Sequence, residues 1–456
     1  AKVTGVHQLT LDSFVGVAYY SDVHPVSTMV TGDEKLNQLL SNIRWGQKSN
    51  FVDVPTDCPQ RDERMGWTGD TQVFAATACY LTDACAFYEK YLYDMQKEQN
   101  KRGGCVPDTI PAFYMRGGCC VWGDAATILP WTLYLFYGDV NILRTALPSM
   151  RAWVDYIAAV DGDTHHWRKV FHFGDWLALD HPSGRADEVR GGTDEGFIAD
   201  AYYYNSARLV AKAAAVLGDA ATEAAYQKRA ERILSDLQQE YFTPTGRCAV
   251  DTQTAQILTL YFGLTNQPEK AHQELMRLLH LRGDKLSTGF VGTPLLCRVL
   301  SQVGEDKMAY HLLHNEEYPG WLYEVNLGAT TIWERWNSLS PDGSVSSTGM
   351  NSFNHYAYGA IGEWMWRTMA GINPCEEQPG FKRVVLRPVS DAAVKHVTAA
   401  YHSPAGCYRV SWRMEEAGIC RFHIEIPFDC TADLMLPGQK PMELECGKYD
   451  FACAVG

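Results

Sequence analysis

FYGDVNILRTALPSMRAWVDYI, residues 136–157, decides how this chain is built. An aromatic run stops at Gly138, where a left-handed helix end suits glycine, and Asp139 follows as an N-cap. Beyond it Leu147, Met150, Val154 and Ile157 recur at helical spacing. The pattern is a helix, a tight turn and a second helix. The same punctuation returns in TGD ending at Asp33, YLTD at Asp83, VLGD at Asp219, GLTN at Asn266 and QVGED at Asp306. Fresh helical patterns follow, such as EAAYQKRAERILSDL after Asp219 and EKAHQELMRLL after Asn266. About six such αα-hairpin signals between residues 30 and 370 predict a helical domain. Their unequal separations exclude a strict solenoid. Inserts at 161–198 and 315–352, rich in Gly, Trp, His and Asp, are the loops in which a helical scaffold carries function.

After Pro374 the texture changes. FKRVVLRP, AAYHSPAGCYRVSWRM, ICRFHIEIPFD and ADLMLPG are short alternating runs parted by Gly, Pro and Asp, which predict a small antiparallel β-sandwich. FVGVAYYSDV, residues 14–23, also reads as strand, the tail of a β-region feeding the first helix. The division expected is 1–27 as remnant β segment and linker, 28–373 as the helical domain and 374–456 as the sandwich.

The chain has 456 residues, 46% hydrophobic and 12% aromatic, ample for a large core. Its net charge of -14, with a pI near 5.5, argues against nucleic acid or an anionic membrane as partner. No apolar run is long enough to span a bilayer. The sequence opens on Ala1 with neither initiator methionine nor signal peptide, which reads as a processed or truncated chain. Fourteen cysteines without a CxxC pair read as free thiols in a reducing, cytoplasmic compartment, with a disulfide framework as the alternative.

Chemistry concentrates in DVPTDCPQRDERMGWTGD, residues 53–70. Asp53, Asp57, Asp62, Glu63 and Asp70 crowd a Pro- and Gly-broken loop with Arg61, Arg64 and Trp67, entering a helix near Asp70. Crowded carboxylates raise one another's pKa, and a carboxyl kept neutral near pH 7 is a general acid. The bland alternative is a solvated loop of ion pairs. A second centre, GATTIWERW (328–336), sets Glu334 and Arg335 between Trp333 and Trp336, which suits a sugar with its apolar C–H faces and its hydroxyls. A core helix with one satisfied glutamate is the competing reading. NSFNHYAYGAIGEWMWR (351–367) brings Asn354 and His355 at the start of an aromatic helix. VWGDA contributes Trp122 and Asp124, FHFGDWLALD Asp175 and Trp176, and GGTDEGFIAD Asp194 and Glu195, the last pair otherwise plain helix caps. No phosphate loop, HExxH, GxSxG or kinase signature occurs, no metal-ligand spacing is seen, and no cofactor is expected. Two carboxylates without a cofactor are the minimal kit of a glycoside hydrolase.

NFVDVPTDCPQRDERMGWTGD, GATTIWERW and NSFNHYAYGAIGEW together closely resemble the α-L-rhamnosidases of glycoside hydrolase family 78, a resemblance running from about residue 18 to the C-terminus. It implies an (α/α)6 barrel catalytic domain followed by a C-terminal β-sandwich, and an inverting, exo-acting mechanism that frees L-rhamnose from rhamnosylated small molecules or oligosaccharides. Glu63 matches the general acid and Glu334 the general base. Asp57 and Asp70 match acids lining the sugar site, and Trp67, Trp122, Trp176, Trp333 and His355 match positions shaping the pocket; Arg61, Asp175 and Glu195 join the expected substrate contacts. An inverting pair should stand about 6.5–9.5 Å apart. Members usually carry β-sandwich domains before the barrel, whereas about 25 residues precede the helices here. Three rivals are a glycosidase for a terminal uronate or fucose, a silent sugar-binding protein on the same scaffold, and a polysaccharide lyase.

Overall fold

A computed structural model describes residues 2–455 except 114–116, 163, 186–187 and 347–349. The hairpin at Gly138 is helix α4 (Ala125–Tyr137) followed by α5 (Val140–Asp161), with Gly138 left-handed at φ 69° and Asp139 accepting from the Asn141 N–H. Asp33 caps α1 (Glu34–Asn50) and Asp219 caps α7 (Ala220–Tyr241) in the same way. At three turns the cap falls one residue later or earlier than the pattern predicts. Ala84 precedes α3 (Cys85–Asn100), Gln267 precedes α9 (Pro268–Leu281), and Glu305 precedes α11 (Asp306–His314). At α9 the proline, with φ preset and no N–H to satisfy, takes the first helical position.

The remaining helices are α2 (Thr68–Leu81), α6 (Glu195–Leu217), α8 (Gln253–Phe262), α10 (Thr293–Gln302), the short α12 (Trp321–Asn326) and α13 (Ile361–Trp364). The last grows out of a 3-10 turn, Ala357–Ala360, and runs on as a π turn, Met365–Met369. Helices α2, α4, α6, α8, α10 and α13 pack each against the next, and α13 returns to α2. They are the inner ring. α8 is buried on nearly every side, whereas the outer α7 buries only a stripe, Thr222, Tyr226, Ala230, Ile233, Leu237 and Tyr241. The structure is therefore the expected (α/α)6 barrel.

Two devices close the ring. Thr77 of α2 donates its hydroxyl to the Ala360 carbonyl and accepts the Glu363 N–H. Ile43 of α1 lies against Gly359 and Gly362, where a Cβ would stand 3.4 and 3.7 Å from its side chain. The first helix thus seals the last.

Beyond the barrel lie β4 (Ile372–Pro374), β5 (Arg383–Leu386), β6 (His396–Ser403), β7 (Gly406–Met414), β8 (Ile419–Ile426), β9 (Thr431–Leu434), β10 (Met442–Leu444) and β11 (Gly447–Ala454). With β1 (Ser27–Thr31) they form two sheets, in orders β1-β6-β7-β8-β11 and β10-β9-β5-β4. One pair, β5 with β9, is parallel, a departure from the all-antiparallel expectation. The N-terminal strand also differs. Residues 14–23 run as irregular chain with Val15, Val17 and Tyr19 at least 78% exposed. The strand is instead β1 (Ser27–Thr31), an edge of the C-terminal sheet paired with β6. Alternation alone does not make a strand without a neighbour to bond.

The sandwich sits on the ends of α2 and α13 remote from Asp70. Tyr401 donates to the Cys79 carbonyl at 3.3 Å, Trp412 to that of Met369 at 2.8 Å, and Tyr80 to that of Ile372 at 2.7 Å. Among the described residues all fourteen cysteines are free thiols.

Truncating Ile43 to alanine should lower stability by about 2–5 kcal/mol in urea unfolding followed by circular dichroism. Val30→Ala, on the exposed face of β1, should change it by less than about 0.5 kcal/mol. Equal midpoints for the two variants would show that α1 does not hold the ring closed.

Candidate active site

The acid-dense segment begins with a two-stranded hairpin, β2 (Phe51–Val52) and β3 (Val54–Pro55), and loops to Trp67 before α2. Asp57 ties that loop shut: its N–H donates to the Met65 carbonyl, and its Oδ1 accepts the Met65 N–H at 2.9 Å. Gly66 lets the loop lie on its neighbour, since a Cβ there would stand 2.2 Å from the Ile110 carbonyl oxygen. The loop delivers Asp57, Arg61, Glu63, Trp67 and Asp70 to one wall of a cavity of about 170 Å³.

The other walls come from three further places. Trp122 stands just before α4; Phe173 and Trp176 come from the 161–198 insert. Phe290 stands before α10, and Glu334, Met350 and His355 come from the long insert and its exit into α13. The cavity thus sits at the N-terminal ends of inner helices, where dipoles favour negative charge.

Arg61 is the hub. Its Nη2 forms an ion pair with Glu63 Oε2 and lies 3.3 Å from Glu334 Oε1. One nitrogen touching both carboxylates holds their closest oxygens within about 6 Å of each other. That bound on the nearest oxygens is compatible with the separation of about 6.5–9.5 Å expected between the carboxyl groups themselves. The other oxygen of Glu63 accepts the Trp67 indole N–H at 2.9 Å.

Burial dominates the protonation of the site. It raises Glu334, with Arg61 opposing and Glu63 reinforcing. It pushes Asp70 well above the usual carboxylate range, and Asp57, only 2% exposed, to about 7, where the Glu63 charge adds to burial. His355 is pushed down to about 3, by burial first and then by Arg61, and is neutral. Its Nε2 lies 3.3 Å from Asp70 Oδ1, yet that oxygen has no aligned hydrogen-bond donor. The Trp122 indole N–H and Arg61 Nε are likewise buried without partners. Unmatched donors and an acceptor around one small cavity ask for a ligand bearing both, as a polyol does.

Three expected contacts lie elsewhere. Asp175 is fully buried and points at backbone: it accepts the Gly289, Val291 and Gly292 N–H groups and the Thr254 hydroxyl. It therefore fixes the 289–292 turn that carries Phe290. Glu195 opens α6 and pairs with Arg190 at the surface. Trp333 packs with Tyr323 and Ala329 in a separate small cluster, edge-on to Phe353. Conversely, Phe173, Phe290 and Met350 line the cavity without having been singled out from the sequence. Asp194 is an N-cap, bonded to the Phe197 N–H, and Asp124 is bound by Trp153, Ser206 and the Val121 N–H.

Among the described residues two groups bring three metal-ligating atoms together, Cys119-Cys120-His172 and Asp57-Cys58-Glu63. In the first, both His172 nitrogens are taken, one by the Cys120 N–H and one by the Trp167 carbonyl. In the second, the Cys58 thiol donates to Asp57 at 2.9 Å and Arg61 holds Glu63. Neither group has its donor atoms free.

A closed ring of six helical hairpins with paired glutamates in a tryptophan-walled cavity defines a six-hairpin carbohydrate-active barrel. Residues 24–369 match the bacterial alpha-L-rhamnosidase 6 hairpin glycosidase domain, and residues 371–449 match the bacterial alpha-L-rhamnosidase C-terminal domain. The chain belongs to the bacterial α-L-rhamnosidase family, as its three long motifs imply. It is 38% identical over 96% of its length to an alpha-L-rhamnosidase of Formosa agariphila and 40% identical over 89% to one of Streptomyces avermitilis. It spans 46% and 38% of those two proteins, less than half of either. The crystal structure of the S. avermitilis enzyme complexed with L-rhamnose covers 95% of this chain, and 43% of its own, with a TM-score of 0.88 at 36% identity. That of the Aspergillus terreus enzyme covers 95%, and 50% of its own, with 0.89 at 31%.

The raised carboxyls set a pH dependence. The native state keeps a proton on Asp57 up to about pH 7, whereas the unfolded chain loses it near 3.8. Between those values the native state binds more protons, so its stability falls as pH rises, by up to about 1.4 kcal/mol per pH unit for this one group. Thermal melts from pH 4 to 8 should show that decline, and Asp57→Asn should flatten it. An unchanged slope in the variant would place the proton elsewhere.

Proposed function

We propose that this chain is the catalytic part of an inverting, exo-acting α-L-rhamnosidase that removes terminal non-reducing α-L-rhamnose from rhamnosylated small molecules or oligosaccharides. The observation that carries the reading is the Arg61 bridge. It brings Glu63 and Glu334 face to face across a cavity with aromatic walls. Glu63 gives its proton to the glycosidic oxygen, and Glu334 takes one from the water that attacks the anomeric carbon from the opposite face. The Arg61 nitrogen between them occupies a water-sized place, so a sugar that draws Arg61 aside opens room for that water and widens the gap. Asp57, pressed against Glu63, keeps a proton available near neutrality, because two adjoining carboxyls cannot both ionise freely.

Phe173, Phe290, Met350 and Trp176 give the cavity an apolar side for a 6-methyl group, the feature that sets a deoxy sugar apart. A uronate would need a free cation. Arg61 is the cation lining the cavity among the described residues, and both its carboxylate partners are the proposed catalytic pair. The rhamnose-bound relative supports the same sugar here. The presence of both glutamates speaks against a silent binding protein. The division into 28–373 and 374–456, with 1–27 as an entering segment, rests on the two family matches, though β1 reaches across it. Free thiols favour a reducing, cytoplasmic setting. No helix of the described residues is long and apolar enough to cross a membrane.

On a natural rhamnoside, Glu63→Gln and Glu334→Gln should each lose about 10²–10⁴-fold in rate. On an aryl rhamnoside, whose leaving group needs little protonation, the Glu63 variant should recover part of that loss and the Glu334 variant should not. Proton NMR of the fresh product should show the β-anomer first. Initial release of the α-anomer would overturn inversion, and a near-wild-type rate in either variant would remove that residue's role.

A further inference from the structure

The six inner helices enclose a second cavity, of about 400 Å³, farther along the barrel axis from the sugar pocket. Its lining comes from positions beyond the site ends of α2, α4, α6, α8, α10 and α13, with Glu376 of the C-terminal region at its edge. Gln72, two residues past Asp70, and Val291, beside Phe290, stand between the two cavities along the chain.

Its charges do not balance. Arg298 and Arg367 both bind Glu363, at 2.8 and 2.6 Å, and Lys212 pairs with Glu376. Arg208 has no carboxylate partner among the described residues. Its Nη2 donates to Asn205 Oδ1 at 3.0 Å, and its Nε is buried with no acceptor. Gln72, 8% exposed, also has an amide nitrogen with no acceptor. The buried side-chain atoms of this lining that lack partners are therefore both donors. A cavity with surplus donors, one of them cationic, selects an acceptor that carries negative charge.

The aromatic lining points the same way. Lys212 stands over the Trp131 ring at 5.4 Å, and Arg298 over Tyr261 at 5.1 Å. Cations already cover these faces, so they are not open platforms for a neutral sugar. We propose that this cavity binds a small molecule bearing an oxyanion, a carboxylate or a phosphate ester, with the Arg208 guanidinium as its counter-charge. The planar fork of Arg208 suits two oxygens at once.

The test is isothermal titration of the whole chain with inorganic phosphate, glucose 6-phosphate and glucuronate in turn, with L-rhamnose as a reporter of the first cavity. At least one oxyanion should bind saturably, and Arg208→Gln should weaken it tenfold or more while L-rhamnose binds as in wild type. Arg208→Lys, which keeps charge but not the fork, should fall between. Comparing the three probes separates a free anion from one carried on a sugar. No saturable binding of any probe below about 10 mM overturns the proposal. So does equal oxyanion affinity in wild type and Arg208→Gln, which would place the anion at another cation such as Arg61.

Discussion

A single guanidinium holds this site together. Arg61 lies on Glu63, two residues away, and on Glu334, 273 residues away in sequence. Four carboxyls, those of Asp57, Glu63, Asp70 and Glu334, share a cavity of about 170 Å³ with that one cation. Without it Glu63 and Glu334 would face each other in a poorly hydrated space with no counter-charge between the loop and the insert. The contact exists only because the ring closes. α1 seats Ile43 against Gly359 and Gly362, and Thr77 stitches α2 to the start of α13. The segment leading into α13 carries His355 and follows Glu334. Ring closure and site assembly are thus the same event, and a fault in the seam between first and last helix is felt at the glutamates.

The barrel was readable in the sequence because its signals are local. A glycine that must turn left-handed and an aspartate that must cap leave their mark within four residues. The acid segment and the tryptophan loops were readable for a related reason, since charge and aromatic surface crowded into broken backbone need an explanation. Which way an acid faces is not local. Asp175 and Asp57 both sit in turns, and both are buried. Asp175 meets backbone donors 114 to 117 residues away and stabilises a turn, whereas Asp57 meets its own loop and keeps an edge toward the cavity. Phe290 and Met350 left no mark, because an apolar residue in a loop looks the same whether it walls a pocket or fills a core. Residues 14–23 alternate as a strand does, but the partner edge on β6 is taken by residues 27–31.

The polarity of the barrel sorts its chemistry. Inner helices turn their N-terminal ends to the cavity that holds Glu63 and Glu334, and α2 and α13 send their other ends to the sandwich. The helix dipole favours ionised carboxyls at the pocket by about 0.3–1 kcal/mol each, up to about 2 in buried geometry. Desolvation of a buried charge is worth several kcal/mol in the opposite sense. Burial wins: Asp57, Asp70 and Glu334 all shift upward despite their position. Arg61 opposes that rise at Glu334, where its guanidinium meets the carboxylate. Because the sandwich covers the far ends of α2 and α13, it stands away from this cavity, whose walls include the loops that carry Phe173, Phe290 and Met350.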